Sequence, residues 1–415
     1  MLRHYLTMTI AVLKRRPFYT AISLFGISFT LLVLMVMTAM ADHALAPMAP
    51  ESRQARMLGV HSARMFGPNS AWTSEAGYLL FDKHARGLPG VETLTIFSSN
   101  HSATTYLGDQ RITSGLKRTD AAFWRVFDCT FLEGGPYGEA DVRDARFVAV
   151  ITRASRDRLF GGRPALGETF EADGQTFRVA GVVENVPDIR YAVFADVYAP
   201  TTTAKTDAYK REIMGGYHAV ALASTTDDLP IIREEFNARL SRIELPDKNY
   251  ETLVAPFETR YDSIARQSPV ADTKSPDPQG SKLTIFLVIA ALVFVTLPTV
   301  NLVNVNISRI LERASEIGVR KAFGAPTRSL VAQFVVENVL LTLAGGAIGL
   351  ALSALVLRAL NQSGMFAHSA FAVNARVFLY AVLLAIAFGI VSGVYPAWRM
   401  ARLHPVEALK GGPSR

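Results

Sequence analysis

The chain has 415 residues, half of them hydrophobic, a formal net charge of +7 and a mean hydropathy of +0.21. That is too apolar for an ordinary soluble protein and too polar for a membrane bundle throughout, so a mixed architecture follows. Its Lys and Arg residues gather beside apolar runs and not along one aromatic-laced face, which excludes nucleic acid as the expected partner and marks them as membrane-topology signals.

Leu2 to Leu13 carries apolar residues at helical spacing and ends in Lys14-Arg15-Arg16-Pro17, which predicts a cytoplasmic interfacial helix over 1–17. Residues 18–41 are uncharged and long enough to span about 30 Å of hydrocarbon as a first transmembrane helix. Ala39-Met40-Ala41 imitates a signal-peptide cleavage site, but the apolar core exceeds the roughly 7 to 15 residues such peptides carry. Residues 42–282 are charged and turn-rich, without a spanning run, and predict an α+β domain with its own core. Within it Phe147–Ile151 reads as a buried strand, and Ser155–Phe160 as a short helix stopped by Gly161-Gly162. Thr169–Glu171 and Thr176–Val183 read as a hairpin turning at Asp173-Gly174. Ile232, Phe236, Leu240 and Ile243 repeat at helical spacing. The lone Cys129, flanked by Phe127, Phe131 and Leu132, is expected as a small buried hydrophobe, with a reactive thiol as the alternative. Asp262 to Gly280, with Pro269, Pro276 and Pro278, reads as a tether back to the membrane.

A second span over 283–305 is interrupted by Pro298. Asn301 and Asn304 share one helix face; each is stabilised by about 0.6–2 kcal/mol on reaching another helix, so this face is expected inside the bundle or across a dimer unless it already lies at headgroup level. The basic segment 306–329 cannot enter hydrocarbon. Read as a helix from Ser315 to Phe323, it groups Val319, Ala322 and Phe323 in one apolar patch, pairs Glu316 with Arg320, and stops at Gly324 before Pro326. It lies against anionic lipid through Arg309, Arg313, Arg320, Lys321 and Arg328, or it docks on a partner. The third span, 330–358, holds Gly345, Gly346 and Gly349, a small-residue face that admits close backbone approach. Glu337, between Gln333 and Asn338, reads as structural more readily than as a proton relay. An outer loop over 359–375 precedes the fourth span, 376–395, and a cytoplasmic tail, 396–415. Basic residues on the three inner segments and none in Asn361–Asn374 place both termini inside and the large domain outside.

Catalytic signatures are missing from the sequence. Gly162 to Thr169 imitates a phosphate-binding loop, but Glu168 stands where lysine is required. The eight histidines show no metal-ligand spacing and no Ser-His-Asp set stands out, so a non-catalytic chain without metal or cofactor is expected.

The run Glu316-Ile317-Gly318-Val319-Arg320-Lys321-Ala322-Phe323-Gly324-Ala325, preceded by Arg313, resembles the cytoplasmic signature of FtsX/MacB-type permeases of ABC transporters, the type VII or mechanotransmission family. Asn301-Leu302-Val303-Asn304 and the C-terminal elements carrying Pro396, Arg399, Pro405 and Glu407 resemble the same family. So, more loosely, do Ala122–Phe127 with Leu132–Gly135, Leu159–Gly167 and Phe177–Val183, which resemble its MacB-like periplasmic core domain. The resemblance implies a membrane protein of four transmembrane helices, with a large α+β extracytoplasmic domain inserted between the first and second, in the inner (cytoplasmic) membrane. It implies that Arg313, Glu316, Ile317, Gly318, Val319, Arg320, Lys321, Phe323 and Gly324 form a coupling helix docking on a cytoplasmic ABC ATPase, the partner chain that holds ATP and Mg. A second permease, membrane lipid and a periplasmic adaptor are the further partners expected. Export of a peptide, drug, toxin or lipoprotein is the function implied, with a mechanotransmitting regulator of a cell-wall hydrolase or sensor as its rival. A membrane-anchored structural or adhesion protein is the reading from a different class.

Overall fold

A computed structural model describes residues 17–107, 110–245, 247–312, 319, 323 and 326–401. The chain divides into a helical unit (Met1–His43, Leu287–Met365, Ala370–Arg415) and a mixed unit (Ala44–Phe286 with Phe366–Ser369).

The mixed unit is the predicted α+β domain. Its strands are β1 (Met57–Val60), β2 (Ala63–Phe66), β3 (Ala71–Ser74), β4 (Val91–Ser98), β5 (His101–Leu107), β6 (Gln110–Thr119), β7 (Phe131–Gly134), β8 (Val148–Thr152), β9 (Thr169–Ala172), β10 (Gln175–Val183), β11 (Val197–Pro200), β12 (Tyr217–Ala223) and β13 (Thr252–Val254). Ten of them form one mixed sheet in the order β1-β12-β4-β6-β11-β8-β10-β7, with β5 added on β6 and β9 on β10; β13-β2-β3 form a second, small sheet. β8 with β10 and β6 with β11 are the parallel pairs. The long sheet is covered on both faces, which is why β8 and β11 are buried at every position instead of alternating. In β12, Tyr217, Ala219, Ala221 and Ala223 join one core with Phe81, Phe236 and Phe257, while Val220 and Leu222 join another with Phe97, Phe123 and Phe127. β8 divides the same way: Val148 and Val150 enter that second core, Ala149 and Ile151 a third with Phe177 and Val179.

Local signals explain several elements. Thr152 caps the Arg153–Phe160 helix by accepting from the Ser155 amide at 3.3 Å, and Gly161 ends it at φ +63°. Asp173 and Gly174 both adopt positive φ, as a two-residue hairpin turn between β9 and β10 requires. The Asp228–Leu240 helix buries Ile232, Phe236 and Leu240 at i, i+4, i+8.

In the helical unit, α1 (Pro17–Leu45) turns one stripe inward: Ser23, Ile27, Leu31, Met35 and Ala39, with Ser28 beside it. The other long helices are α2 (Gly280–Glu312), α3 (Thr327–Gln362) and α4 (Ala375–Ala401). Thr20–Leu45 and Val331–Gln362 are long and apolar enough to cross a membrane; Gly280–Phe294 and Ala375–Ala387 are shorter apolar stretches. Each helix outruns the span read from its hydropathy, because backbone hydrogen bonding continues past the apolar residues. α2 continues through Pro298 to Glu312, and α4 carries Pro396 and Arg399 as helix where a tail was expected from 396.

Candidate functional site

Several groups of sequence-selected residues fall in described helices. Gly345 and Gly349 lie where α3 meets α1: a Cβ on Gly345 would stand 2.8 Å from Ile27 Cγ2, and one on Gly349 would stand 3.0 Å from the Ser28 carbonyl oxygen. Gly346 is looser, with Val382 Cγ2 3.5 Å and Leu31 Cδ1 3.8 Å from the same construction. Ser353 Oγ donates back to the Gly349 carbonyl at 2.6 Å. Gln333, Glu337 and Asn338 are buried at the start of α3, and none of them is without a partner. Asn301 and Asn304 sit in α2, about one and two turns beyond Pro298. Ile285 to Ile289, Leu292 and Val293 in the same helix are all at least 41 % exposed, on every side of its axis.

Of the segment expected to couple to a partner, Val319 and Phe323 are described. The Phe323 amide donates to the Val319 carbonyl at 3.1 Å, an i to i−4 bond, and the two side chains are 46 % and 88 % exposed. Arg313, Glu316, Ile317, Gly318, Arg320, Lys321 and Gly324 lie outside the described residues, as do Pro405, Glu407 and the helix expected over Leu2–Leu13.

A dense set of polar contacts lies where the chain enters and leaves the mixed unit. At the entry, Arg190, with 0 % exposure, donates from Nη1 to Glu51 Oε2 at 2.7 Å and from Nη2 to the Ala46 carbonyl at 2.8 Å. Arg260 donates from Nε to the Ala44 carbonyl at 3.1 Å and from Nη2 to that of Ile189, with its guanidinium 4.7 Å over the Tyr191 ring. At the exit, Arg266 pairs with Glu258 at 2.6 Å, both nearly buried, and reaches the carbonyls of Ser275 at 2.7 Å and Asp277 at 2.9 Å. Asp262 accepts from the Gly280 amide at 2.9 Å and from Arg233 Nη2 at 3.2 Å. A third point belongs to the loop between α3 and α4. Asp188 accepts from the Ala367 amide at 2.9 Å and from Ser369 Oγ at 3.3 Å, and its own amide donates to the Ala367 carbonyl at 3.0 Å.

These contacts correct the expected tether. Asp262 to Gly280 begins inside a helix, Arg260–Arg266; its proline-rich remainder is held to that helix by the Arg266 guanidinium and braced within itself by Gln279, whose Oε1 accepts from the Asp272 amide at 2.9 Å. Prolines and polar residues read as slack in the sequence; one buried arginine gathering successive carbonyls removes that slack. Sequence reasoning missed Arg190 and Arg260, because partners as far apart as Glu51 and Arg190 leave no local pattern, and missed Arg266 because two of its partners are backbone carbonyls, which carry no side-chain signal.

Beside the entry point lies Lys117, fully buried and with no carboxylate on its Nζ among the described residues; it donates to the carbonyls of Tyr191 at 3.0 Å and Ala192 at 2.6 Å and stands 5.2 Å from the Phe97 ring centroid. Burial pulls its pKa down to about 7, against the opposing pull of Glu51 and Glu75. Burial likewise lowers His218 to about 3, helped by Lys117, and holds His61 well below the usual imidazole value. Cys129 packs at the edge of the Phe97 core and burial pushes its thiol up to about 12, which keeps it protonated and unreactive. In the loop that imitates a phosphate cradle, the Gly167 amide is donated to the Val179 carbonyl and the Glu168 amide to that of Ala165, so neither is open to an anion.

Comparison with known proteins covers both units. Residues 20–239 match the MacB-like periplasmic core domain and residues 288–405 match the FtsX-like permease C-terminal domain. The macrolide export ATP-binding/permease protein MacB of Vibrio parahaemolyticus is 25 % identical over 332 residues, which are 79 % of this chain and 47 % of that protein. Its namesake in Burkholderia pseudomallei is 29 % identical over 301 residues, 69 % of this chain and 41 % of that one. The chain thus spans about half the length of the curated relatives it matches. The crystal structure of the periplasmic region of MacB from Actinobacillus actinomycetemcomitans aligns at a TM-score of 0.34 and 17 % identity, over 44 % of this chain and 85 % of that one.

Proposed function

We infer the function of this chain from the family to which it belongs, the FtsX/MacB-like permeases of ABC transporters. The chain is the membrane subunit of an inner-membrane exporter, with four transmembrane helices, both termini cytoplasmic and the mixed unit outside. An ABC ATPase partner chain binds ATP and Mg and pushes on the coupling segment around Val319 and Phe323. The spans pass the movement to the extracytoplasmic domain, which drives a peptide, drug, toxin or lipoprotein outward, with a periplasmic adaptor as a further partner. A second permease and lipid cover the apolar surface of α2, and Asn301 and Asn304 contribute to that helix packing.

The observation that carries this reading is the pinning of the mixed unit's chain crossings at Arg190, Arg266 and Asp188. A domain that is to be moved by its helices needs stiff attachment, and buried hydrogen-bonded charges supply it. The exposed Phe323 supports the docking half of the mechanism, since a side chain 88 % exposed on a helical turn is available to a partner surface.

The test is co-purification with a co-expressed cognate ATPase. The wild-type chain is expected to retain the ATPase, and Glu316→Lys with Phe323→Ala to lose it. An ATPase that never co-purifies, or that stays with the double variant, refutes the docking. Export is separated from regulation of a wall hydrolase or sensor by a deletion strain: sensitivity to antimicrobial peptides and macrolides is expected to rise, and defective wall cleavage with unchanged sensitivity overturns export.

A further inference from the structure

Arg118 is 8 % exposed, yet its guanidinium is incompletely used. Nη2 donates to Asp173 Oδ2 at 3.1 Å and Gln175 Oε1 at 3.2 Å, while the buried Nε has no acceptor. Asp173 is also held by Lys205 Nζ at 2.8 Å, so two cations share one carboxylate. Burial of Asp173 opposes its ionisation, but the bonds from Lys205 and Arg118 prevail and keep its pKa below the usual value. Arg118, Asp173 and Lys205 line a cleft of about 340 Å³ together with Tyr209, Tyr217 and Glu212. The two tyrosine rings stack at 5.4 Å, and burial pushes the Tyr209 hydroxyl up to about 12, so it remains a donor. Glu212 takes part in no ion pair among the described residues.

The cleft therefore has surplus positive charge at Arg118, Asp173 and Lys205, an uncommitted acid at Glu212, and an aromatic pair in its lining. An anion alone would meet Asp173 and Glu212, and a purely apolar molecule would desolvate the guanidinium without replacing its hydrogen bonds. A ligand carrying both charges satisfies both sets. We propose that this cleft binds a short zwitterionic ligand of the amino-acid or peptide kind, its carboxylate on Arg118 and Lys205, its ammonium on Glu212 and its body against Tyr209 and Tyr217. The volume sits at the small end of the roughly 300–1,000 Å³ typical of ligand pockets, which suits two or three residues.

The experiment is calorimetric titration of the full chain in lipid nanodiscs with Ala-Ala-Ala, without ATPase or nucleotide, so that its outcome is independent of the transport reading. Saturable sub-millimolar binding is expected, with the C-terminal amide and the N-acetyl analogue each weaker by about ten-fold or more, the loss of one charged contact. Lys205→Ala removes a side chain that is 56 % exposed and is expected to weaken binding several-fold with the unfolding temperature unchanged. Arg118→Lys keeps the cation, loses the fork and is expected to abolish binding. The proposal is overturned if Ala-Ala-Ala fails to saturate by about 10 mM. Equal binding of the blocked analogues or of inorganic phosphate, or indifference to both substitutions, overturns it as well.

Discussion

Replacing Arg190 by Met tests whether the entry into the mixed unit is held by its buried charge pair. Arg190 is fully buried, Glu51 6 % exposed, and their oxygen and nitrogen stand 2.7 Å apart. Methionine fills most of the volume but removes the ion-pair partner of the Glu51 carboxylate and the Arg190 donor to the Ala46 carbonyl. Breaking a buried pair from one side costs about 3–5 kcal/mol, which for a domain of this size lowers the melting temperature by roughly 6–20 °C. Glu51→Gln retains an acceptor and is expected to cost less, about 1–3 kcal/mol. Combining the two removes both charges, so the double variant is expected to be more stable than Arg190→Met alone, with a coupling energy of about 2 kcal/mol. Unfolding of the full chain in detergent, followed by tryptophan fluorescence, reads the domain through Trp72 and Trp124. A loss below about 1 kcal/mol for Arg190→Met, or strict additivity in the double variant, would refute the reasoning.

Lys117 makes stability pH-dependent. Its pKa is about 7 folded and 10.5 unfolded, so between those values the unfolded chain binds more protons and stability rises with pH. Below about pH 7 the full penalty, on the order of 5 kcal/mol, is present. Urea titrations from pH 7 to 10 are expected to show this rise in the wild type and to lose it in Lys117→Met; an unchanged slope contradicts the assignment. His218, at about 3 folded against 6.5 unfolded, adds a loss of stability as pH falls through that window, which His218→Gln is expected to reduce. Gly345→Leu drives a side chain into Ile27 and is expected to destabilise the α1–α3 contact by about 1–3 kcal/mol, read as faster amide exchange in both helices. Asp188→Ala removes the acceptor for Ala367 and Ser369 and is expected to speed exchange in residues 363–374 by roughly 5- to 30-fold, for about 1–2 kcal/mol lost.

Elements specified by neighbouring residues were legible in the sequence. Gly161-Gly162 and Asp173-Gly174 punctuate the chain because positive φ is a local demand, and the Ile232, Phe236, Leu240 stripe is a local periodicity. β8 was legible as a buried strand for the same reason, although Phe147, included in the expected strand, is 47 % exposed at its edge. What stayed hidden depends on partners distant in the chain. Arg190 and Glu51 are 139 positions apart, and nothing in the composition around either marks it as buried. Helix ends were not legible from hydropathy, which reports which residues suit lipid, whereas the helical backbone of α4 continues past Pro396 to Ala401.

The corrected exit segment bears directly on how movement could reach the domain. A free chain of about 20 residues has a root-mean-square span near 25 Å. Such a tether would absorb a helix shift of one turn, about 5.4 Å, without moving its far end. With Asp262 bound to the Gly280 amide and Arg266 holding Ser275 and Asp277, a displacement of the residues at Gly280 must either move the domain or break charge-assisted hydrogen bonds. The same holds at Ala44–Glu51 through Arg260 and Arg190, and at Ala367–Ser369 through Asp188. Loosening one point leaves the others engaged, so single variants are expected to weaken coupling gradually. Arg190→Met with Asp188→Ala and Asp262→Ala is expected to uncouple export from ATP hydrolysis while ATPase docking persists, and intact export in that triple variant would rule out transmission through these contacts.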